Sequence, residues 1–575
     1  MRFVAVSLLI AICLVPIASG AAACSRPELR GSFLQPALGD RWTWKEWSKE
    51  FEYMQAAGLD QMLIQWTADS KEKTTIFPSS LPGYRQNTRH DVVERALATA
   101  DASDAKVYLG LQINDDWWSK YIDDGAWLEN EATIGNALAD DLWARYQGHP
   151  SLAGWYLPFE VDNVETGPEQ WDNLIAFYRT VGDHLRLLAP GKPVVISPFF
   201  DTHQGMTSSQ WQAMWEYVLQ GSSIDVLALQ DGVGAGHATA RQLPEWFDAV
   251  GEAIQDVHAA TELWADTETF HRGYATMPIR SIVDDMCAVQ PYVSNDVSFS
   301  FNHYLSPQQV DHHYYRTYMD YLTTGTVERV PPSAPAKLTA AAVDSSTIQL
   351  TWRASKDNIG VVGYTVTRNS RHLATLHGRE TAYVDAGLDA GMTYTYQIRA
   401  FDAAGNSSNW SGAASASTPP PHLYPTNIAL GKPYVASMDA DAAYPDTGGV
   451  ELTDGMIGSS SYADSAWQGR ATTKPYTFTL DLGSSQVIRE VRMHWLQDEK
   501  SGILLPHEIS CATSDDGVNF SSIGTVKKPL PVEGLREWWY TLTDLTNTKG
   551  RYVQLRVLPG TNAEWTFLDE LEVRQ

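Results

Sequence analysis

The run Leu152-Ala153-Gly154-Trp155-Tyr156-Leu157-Pro158-Phe159-Glu160 is apolar at nearly every position and ends in a carboxylate. A strand of that composition is buried on both faces, as parallel strands under covering helices must be. An amphipathic stretch with helical spacing follows at 171–188. The same alternation extends in both directions. Strand-like runs are expected at 31–35, 61–66, 106–112, 193–199, 225–231, 262–268 and 296–302. Helical stretches are expected at 44–57, 92–102, 134–146, 209–219, 243–258 and 307–322. Eight β-α units in about 300 residues is the arithmetic of a (β/α)8, or TIM, barrel. A doubly wound open sheet is the alternative, but no G-x-G-x-x-G follows the first run, so its dinucleotide-binding form is unsupported.

Outside the barrel the chain changes character. Residues 1–23 read as a signal peptide: a basic Met1-Arg2, an apolar run, then small residues before Cys24. The expectation is a secreted protein, extracellular or periplasmic, with no transmembrane segment. Cys24 leaves a lipid anchor open, although Ala21 stands where such signals usually carry leucine. Beyond the leader only Cys24, Cys287 and Cys511 remain, enough for one intrachain disulfide at most. No zinc-type spacing occurs. A net charge of −27 excludes nucleic acid and anionic membrane as partners and weighs against a strongly anionic polymer. With 21 Trp and 26 Tyr, the chain is equipped to stack on sugar rings.

The Pro-rich connectors Val330-Pro331-Pro332-Ser333-Ala334-Pro335 and Thr418-Pro419-Pro420-Pro421 set boundaries at 24–330, 331–420 and 421–575. The middle segment shows Leu350-Thr351-Trp352, Gly363-Tyr364-Thr365-Val366 and Thr393-Tyr394-Thr395-Tyr396 without helical period. It resembles a fibronectin type III domain, which implies a β-sandwich with Trp352 in its core. The last segment carries Asn427-Ile428-Ala429-Leu430-Gly431, Leu452-Thr453-Asp454-Gly455, Leu480-Asp481-Leu482-Gly483 and Leu568-Asp569-Glu570-Leu571. It resembles the discoidin, or coagulation factor 5/8 type C, family, which implies an eight-stranded jelly-roll. That resemblance makes Trp467, Arg470 and Trp565 candidate ligand residues. It also places Asp454 and Glu570 near the structural calcium site of many relatives.

In a (β/α)8 barrel the chemistry sits at the carboxyl ends of the strands. Those ends offer Gln35, Gln65, Gln112 and Asn114, Glu160, Asp201, Asp231, Asp266 and Glu268, then Asn302, His303 and Tyr304. Side chains of this kind hydrogen-bond hydroxyls, whereas a phosphate site would show basic residues or glycine-rich loops. Trp117 and Trp118 offer a stacking platform or, for one of the pair, core. Glycoside hydrolysis needs two carboxyls, and Glu160 and Glu268 end the fourth and seventh strands. The layout resembles the retaining-glycosidase clan whose acid/base Glu ends strand four and whose nucleophile Glu ends strand seven. It is also similar to a family of secreted bacterial barrel domains near that clan. The resemblance implies Glu160 as acid/base and Glu268 as nucleophile, with no catalytic cofactor. One departure stands out: the clan usually has Asn before its acid/base, and here the residue is Phe159. Hydrogen bonding to a sugar 2-hydroxyl then falls to Asn163 or Gln112. Asp201 and Asp231 are reserve carboxylates, and Asp266 replaces Glu268 if the register shifts. His312-His313, inside an expected helix, reads as a solvated face. The expectation is a monomeric secreted glycoside hydrolase of polysaccharide or glycoconjugate. The alternative is a non-catalytic carbohydrate-binding or adhesion protein on a barrel scaffold.

Overall fold

The computed structural model describes residues 24–575 except 345, 419–423, 447, 529–533, 544, 546–547 and 561–564. The expected leader, 1–23, lies outside the described residues, as does part of the second Pro-rich connector. The chain divides into two compact units. One runs to Val330 and includes Asp402–Asn406; the other comprises Pro331–Phe401 and Ser407–Gln575.

In the first unit, eight parallel strands close a barrel in chain order among the described residues: β1 Gly31–Leu34, β2 Gln61–Ile64, β3 Lys106–Gly110, β4 Leu152–Leu157, β5 Val194–Ile196, β6 Val226–Gln230, β7 Glu262–Glu268 and β8 Asn295–Phe299. β1 pairs with both β2 and β8, which completes the ring. Every strand sends at least one side chain into a common core of Phe33, Leu63, Tyr108, Tyr156, Val195, Val226, Ala228, Trp264 and Val297. Strand alternation then determines what lies above that core. Gln230 follows Ala228, and Asp266 and Glu268 follow Trp264, on the same face.

The covering helices are α1 Trp44–Ala56, α2 Val92–Ser103, α3 Gly125–Tyr146, α4 Pro168–Leu188, α5 Ser208–Gly221, α6 Leu243–Asp256, α7 Ile279–Val289 and α8 His312–Thr324. Local chemistry starts several of them. Thr43 and Glu46 form a reciprocal capping box at α1, Thr207 and Gln210 one at α5, and Asp91 caps α2. The helix α7 was not anticipated, although Ile279, Ile282, Val283, Met286 and Val289 make its buried stripe. The expected strand 152–160 stops at Leu157, because Pro158 has no N–H to donate. The expected helix 307–322 begins only at His312, where the Asp311 carboxylate accepts the His313 N–H at 3.0 Å. A Cys24–Cys287 disulfide ties the N-terminal segment to α7, and Cys511 is a buried free thiol. The Cys24 sulfur is therefore committed to a cross-link. Among the described residues no helix is long and apolar enough to cross a membrane.

The second unit is all β. Residues 336–417 form a three-stranded and a four-stranded sheet, with Trp352 buried beside Tyr364 at 5.3 Å. Among the described residues, 434–574 form a five-stranded sheet and a four-stranded sheet, nine strands where eight were expected. Phe478, Leu480, Met493, Trp495, Leu555 and Leu571 are among the residues of its core.

Candidate active site

Glu268 is the last residue of β7 and 5 % exposed. Its Oε2 accepts the Ala235 N–H at 2.7 Å, and the Gly234 N–H adds a second backbone bond. The loop must press close to do this. A Cβ on Gly234 would lie 2.2 Å from the Phe270 carbonyl oxygen and 2.9 Å from Glu268 Oε2, so only glycine fits. Arg272 holds the far side of the loop by donating to the Ala235 and Gly236 carbonyls. Burial pushes the Glu268 carboxyl up, and the two backbone donors partly offset this.

Glu160 stands three residues past the end of β4. Trp117 fixes its backbone: the indole N–H donates to the Glu160 carbonyl at 2.9 Å, while the ring stacks on Phe159 at 5.2 Å. Phe159 thus faces an aromatic box of Trp117, Trp127 and Phe177, away from the mouth. Burial and the neighbouring Glu268 charge push Glu160 up to about 7, against a hydrogen bond from Gln230. The two carboxyls are therefore close enough to repel. Gln230 also donates to the Ser197 carbonyl at 2.9 Å. Gln230 is the last residue of β6, one position before Asp231. Asp266 lies one pleat below Glu268, takes the Ser197 hydroxyl at 2.9 Å, and keeps a buried Oδ1 without a partner. Burial and both glutamates hold it well above the usual carboxylate range.

Aromatic rings flank these carboxyls. Trp118 is 62 % exposed and lies 6.5 Å from Phe199, which stacks on His237 at 5.6 Å. Phe270 gathers Tyr274, Phe299 and Tyr304 within 6.0 Å, and Tyr274 is exposed. His303, beside Tyr304, is pulled by burial down to about 4 and stays neutral. Gln35 and Gln65 are half-buried at the ends of β1 and β2, and Gln65 Oε1 has no partner.

Other expected contacts lie elsewhere. Gln112 donates to the Glu131 carbonyl, and Asn114 donates to Ser70 and to the Glu131 carboxylate, so both tie the third loop to α3. Asn163 is used up by the carbonyls of Asp201, Gln204 and Met206, which leaves no amide for a sugar hydroxyl. Asp201 closes its own turn through His203 and Gln204. Asp231 is fully buried behind the mouth, accepting the N–H groups of Val233 and Glu268 and repelled by Asp285 of α7. Asn302 points at Glu50 of α1, because the chain turns into a short helix, Phe301–Tyr304, and the strand alternation ends.

Comparison with known families matches three segments of the chain. Residues 29–311 match the family described as a domain of unknown function, DUF4434, 333–417 the fibronectin type III domain, and 445–571 the F5/8 type C domain. The three segments are a DUF4434 barrel, a fibronectin type III domain and an F5/8 type C domain. Chitinase Chi52 of Paenibacillus xylanexedens is 44 % identical over 95 residues, 16 % of this chain and 18 % of that protein. Exoglucanase B of Cellulomonas fimi is 33 % identical over 160 residues, 27 % of this chain and 14 % of that protein. These matches fall on the accessory domains, and the chain spans less than a fifth of the length of these curated relatives. A solved protein of Bacteroides thetaiotaomicron, provisionally named an alpha-L-fucosidase, is 21 % identical with a TM-score of 0.45; the alignment covers 54 % of this chain and 99 % of that one.

In the F5/8 type C domain, two of the three expected ligand residues are core. Trp467 is 1 % exposed, donates to the Ser459 carbonyl and stacks on His494. Arg470 is equally buried, donates to the Met438 carbonyl and lies over Phe478. Trp565 is half-exposed beside Tyr444, which in turn meets Tyr462. Glu570 is buried, accepts the Gly455 N–H and keeps Oε1 without a partner, whereas Asp454 is exposed. That orphan oxygen suits a cation, for which loop carbonyls would have to complete the shell. Among the described residues neither acid belongs to a cluster of three His, Cys, Asp or Glu donors.

Proposed function

We propose that the DUF4434 barrel, taken as residues 24–330, is a secreted glycoside hydrolase using Glu160 and Glu268. The observation that carries this reading is the pair itself: a half-buried carboxyl just past β4, pushed up by the charge of Glu268, and the buried Glu268 at the end of β7, in a mouth rimmed by amides and aromatic rings. Their environments differ in the useful direction. Two backbone N–H groups favour the ionised form of Glu268, while Glu160 receives one side-chain amide. At the pH where the pair shares one proton, Glu160 holds it. Glu160 then protonates the glycosidic oxygen as the bond to the anomeric carbon breaks. Glu268 attacks that carbon to give a glycosyl-enzyme. Glu160 then takes a proton from a water whose oxygen attacks the anomeric carbon, the bond to Glu268 breaks, and the sugar leaves with retention. Gln230, beside Glu160, offers its amide oxygen to a sugar hydroxyl in place of the missing Asn, its N–H groups being given to Ser197 and Glu160.

The Cys24–Cys287 disulfide supports an exported protein. The F5/8 type C domain would hold glycan near the barrel through Trp565 and Tyr444, raising local substrate concentration. A calcium ion on Glu570 and Asp454 would steady that domain and take no part in the chemistry. The test is product release from a polysaccharide panel by wild type, Glu160→Gln and Glu268→Gln. Release that falls at least a thousandfold in both variants supports the assignment. Equal release by all three removes these residues from the chemistry, and binding without release by wild type leaves a carbohydrate-binding barrel.

A further inference from the structure

A cleft of about 570 Å³ opens on the barrel's carboxyl face above β1 and β2, within the ~300–1,000 Å³ range of small-molecule sites. It is lined by Pro36, Trp66, Asn87, Thr88, Arg41 and Arg89, with Asp40 as its acid. Pro36 and Trp66 directly follow Gln35 and Gln65, so the cleft begins one residue beyond the mouth. Trp66 is half-buried, leaving part of its ring to the cleft. Arg41 and Arg89 are exposed, and among the described residues neither guanidinium has a hydrogen-bond or ion-pair partner. Asp40 is engaged by the His90 N–H at 3.1 Å. In a chain of net charge −27, the cleft is thus a cationic spot beside a mouth built around the carboxyl groups of Glu160, Asp266 and Glu268.

We infer that this cleft is a second sugar subsite, which takes a unit bearing an anionic substituent while a neutral unit of the same chain lies over Glu160 and Glu268. The division follows from charge: an oxyanion is repelled by the ionised Glu268 of the mouth and is matched by two planar guanidinium forks. The Trp66 ring supplies the apolar face on which a pyranose lies. The inference rests on the glycan reading of the barrel but not on hydrolysis.

The experiment is calorimetric titration of the full chain with glucuronic acid, glucose 6-sulfate and glucose. Proteins are wild type, Arg41→Ala/Arg89→Ala, Trp66→Ala and Glu268→Gln, each checked for folding by circular dichroism. Wild type and Glu268→Gln are expected to bind an anionic sugar at least tenfold more tightly than glucose. The double arginine variant should lose that preference, and high salt should erase it in wild type. Trp66→Ala should weaken all three sugars alike. Preference for glucuronic acid alone assigns a carboxylate, and equal preference for both acids assigns any oxyanion. No preference in wild type, or a preference that survives removal of both arginines, overturns the subsite. A preference with no glycan hydrolysis anywhere in the panel sinks the hydrolase and leaves the subsite standing.

Discussion

Replacing Gly234 by alanine tests whether the loop after β6 holds Glu268 in its ionised form. The added Cβ would sit 2.2 Å from the Phe270 carbonyl oxygen, whereas real Cβ contacts stay above 3.0 Å, so the loop must lift by about 1 Å. That movement lengthens or breaks the Ala235 and Gly234 N–H bonds to the carboxylate, each contributing about 1.5–3 kcal/mol when the acceptor is charged. Misplacement of about 1 Å near a reacting group costs on the order of 100-fold in rate. The pH dependence has a definite sign. Glu268 is already raised by burial, and losing donors to its ionised form raises it further, so the acidic limb of kcat/KM moves to higher pH. The assay is a kcat/KM pH profile on whichever glycan the panel identifies, with thermal unfolding as the control. A Gly234→Ala protein that unfolds like wild type yet keeps its rate and acidic limb would refute the role given to these two N–H groups.

Asp285→Asn removes a buried charge without changing shape. Asp285, like Asp231, Asp266 and Asp296, is raised by burial, so the folded barrel binds more protons than the unfolded chain between the ordinary carboxylate range and the raised one. The contribution of these groups to stability is highest at low pH and falls as pH rises through that window. The variant should therefore raise Tm at pH 8 and leave it nearly unchanged at pH 4; a rise at pH 4 as large as that at pH 8 contradicts the account. Trp117→Ala should cost about 3–5 kcal/mol in chemical denaturation, because it empties a stacked core position and frees the Glu160 carbonyl. Trp118→Ala should leave stability unchanged and raise KM, since its ring is largely in solvent. In the F5/8 type C domain, Trp565→Ala should weaken polysaccharide pull-down with the fold intact. Trp467→Ala should instead lower the unfolding temperature of that domain, and the reverse pattern would exchange the two roles.

Much of the barrel was legible in the chain itself. Strands buried on both faces write continuous apolar runs, and the amphipathic stretches between them mark helices, so the barrel's alternation can be read without coordinates. Glu160 and Glu268 stand out as candidates for the same reason, since each closes such a run. Linear spacing could not say where a side chain points once a strand has ended. Gln112, Asn114, Asn163 and Asn302 all follow strand-like runs, yet their amides are consumed by Glu131, by backbone carbonyls and by Glu50. The Trp117-Trp118 pair makes the point most simply: neighbours in sequence, one is 3 % exposed and the other 62 %. Likewise Trp467 and Arg470 look like ligand residues by type and prove to be core by packing. Local composition determines which residues can form a strand or a helix. Only packing of distant segments decides which polar side chains must satisfy buried partners, because that demand comes from groups far away in the chain, and which are left to meet a ligand.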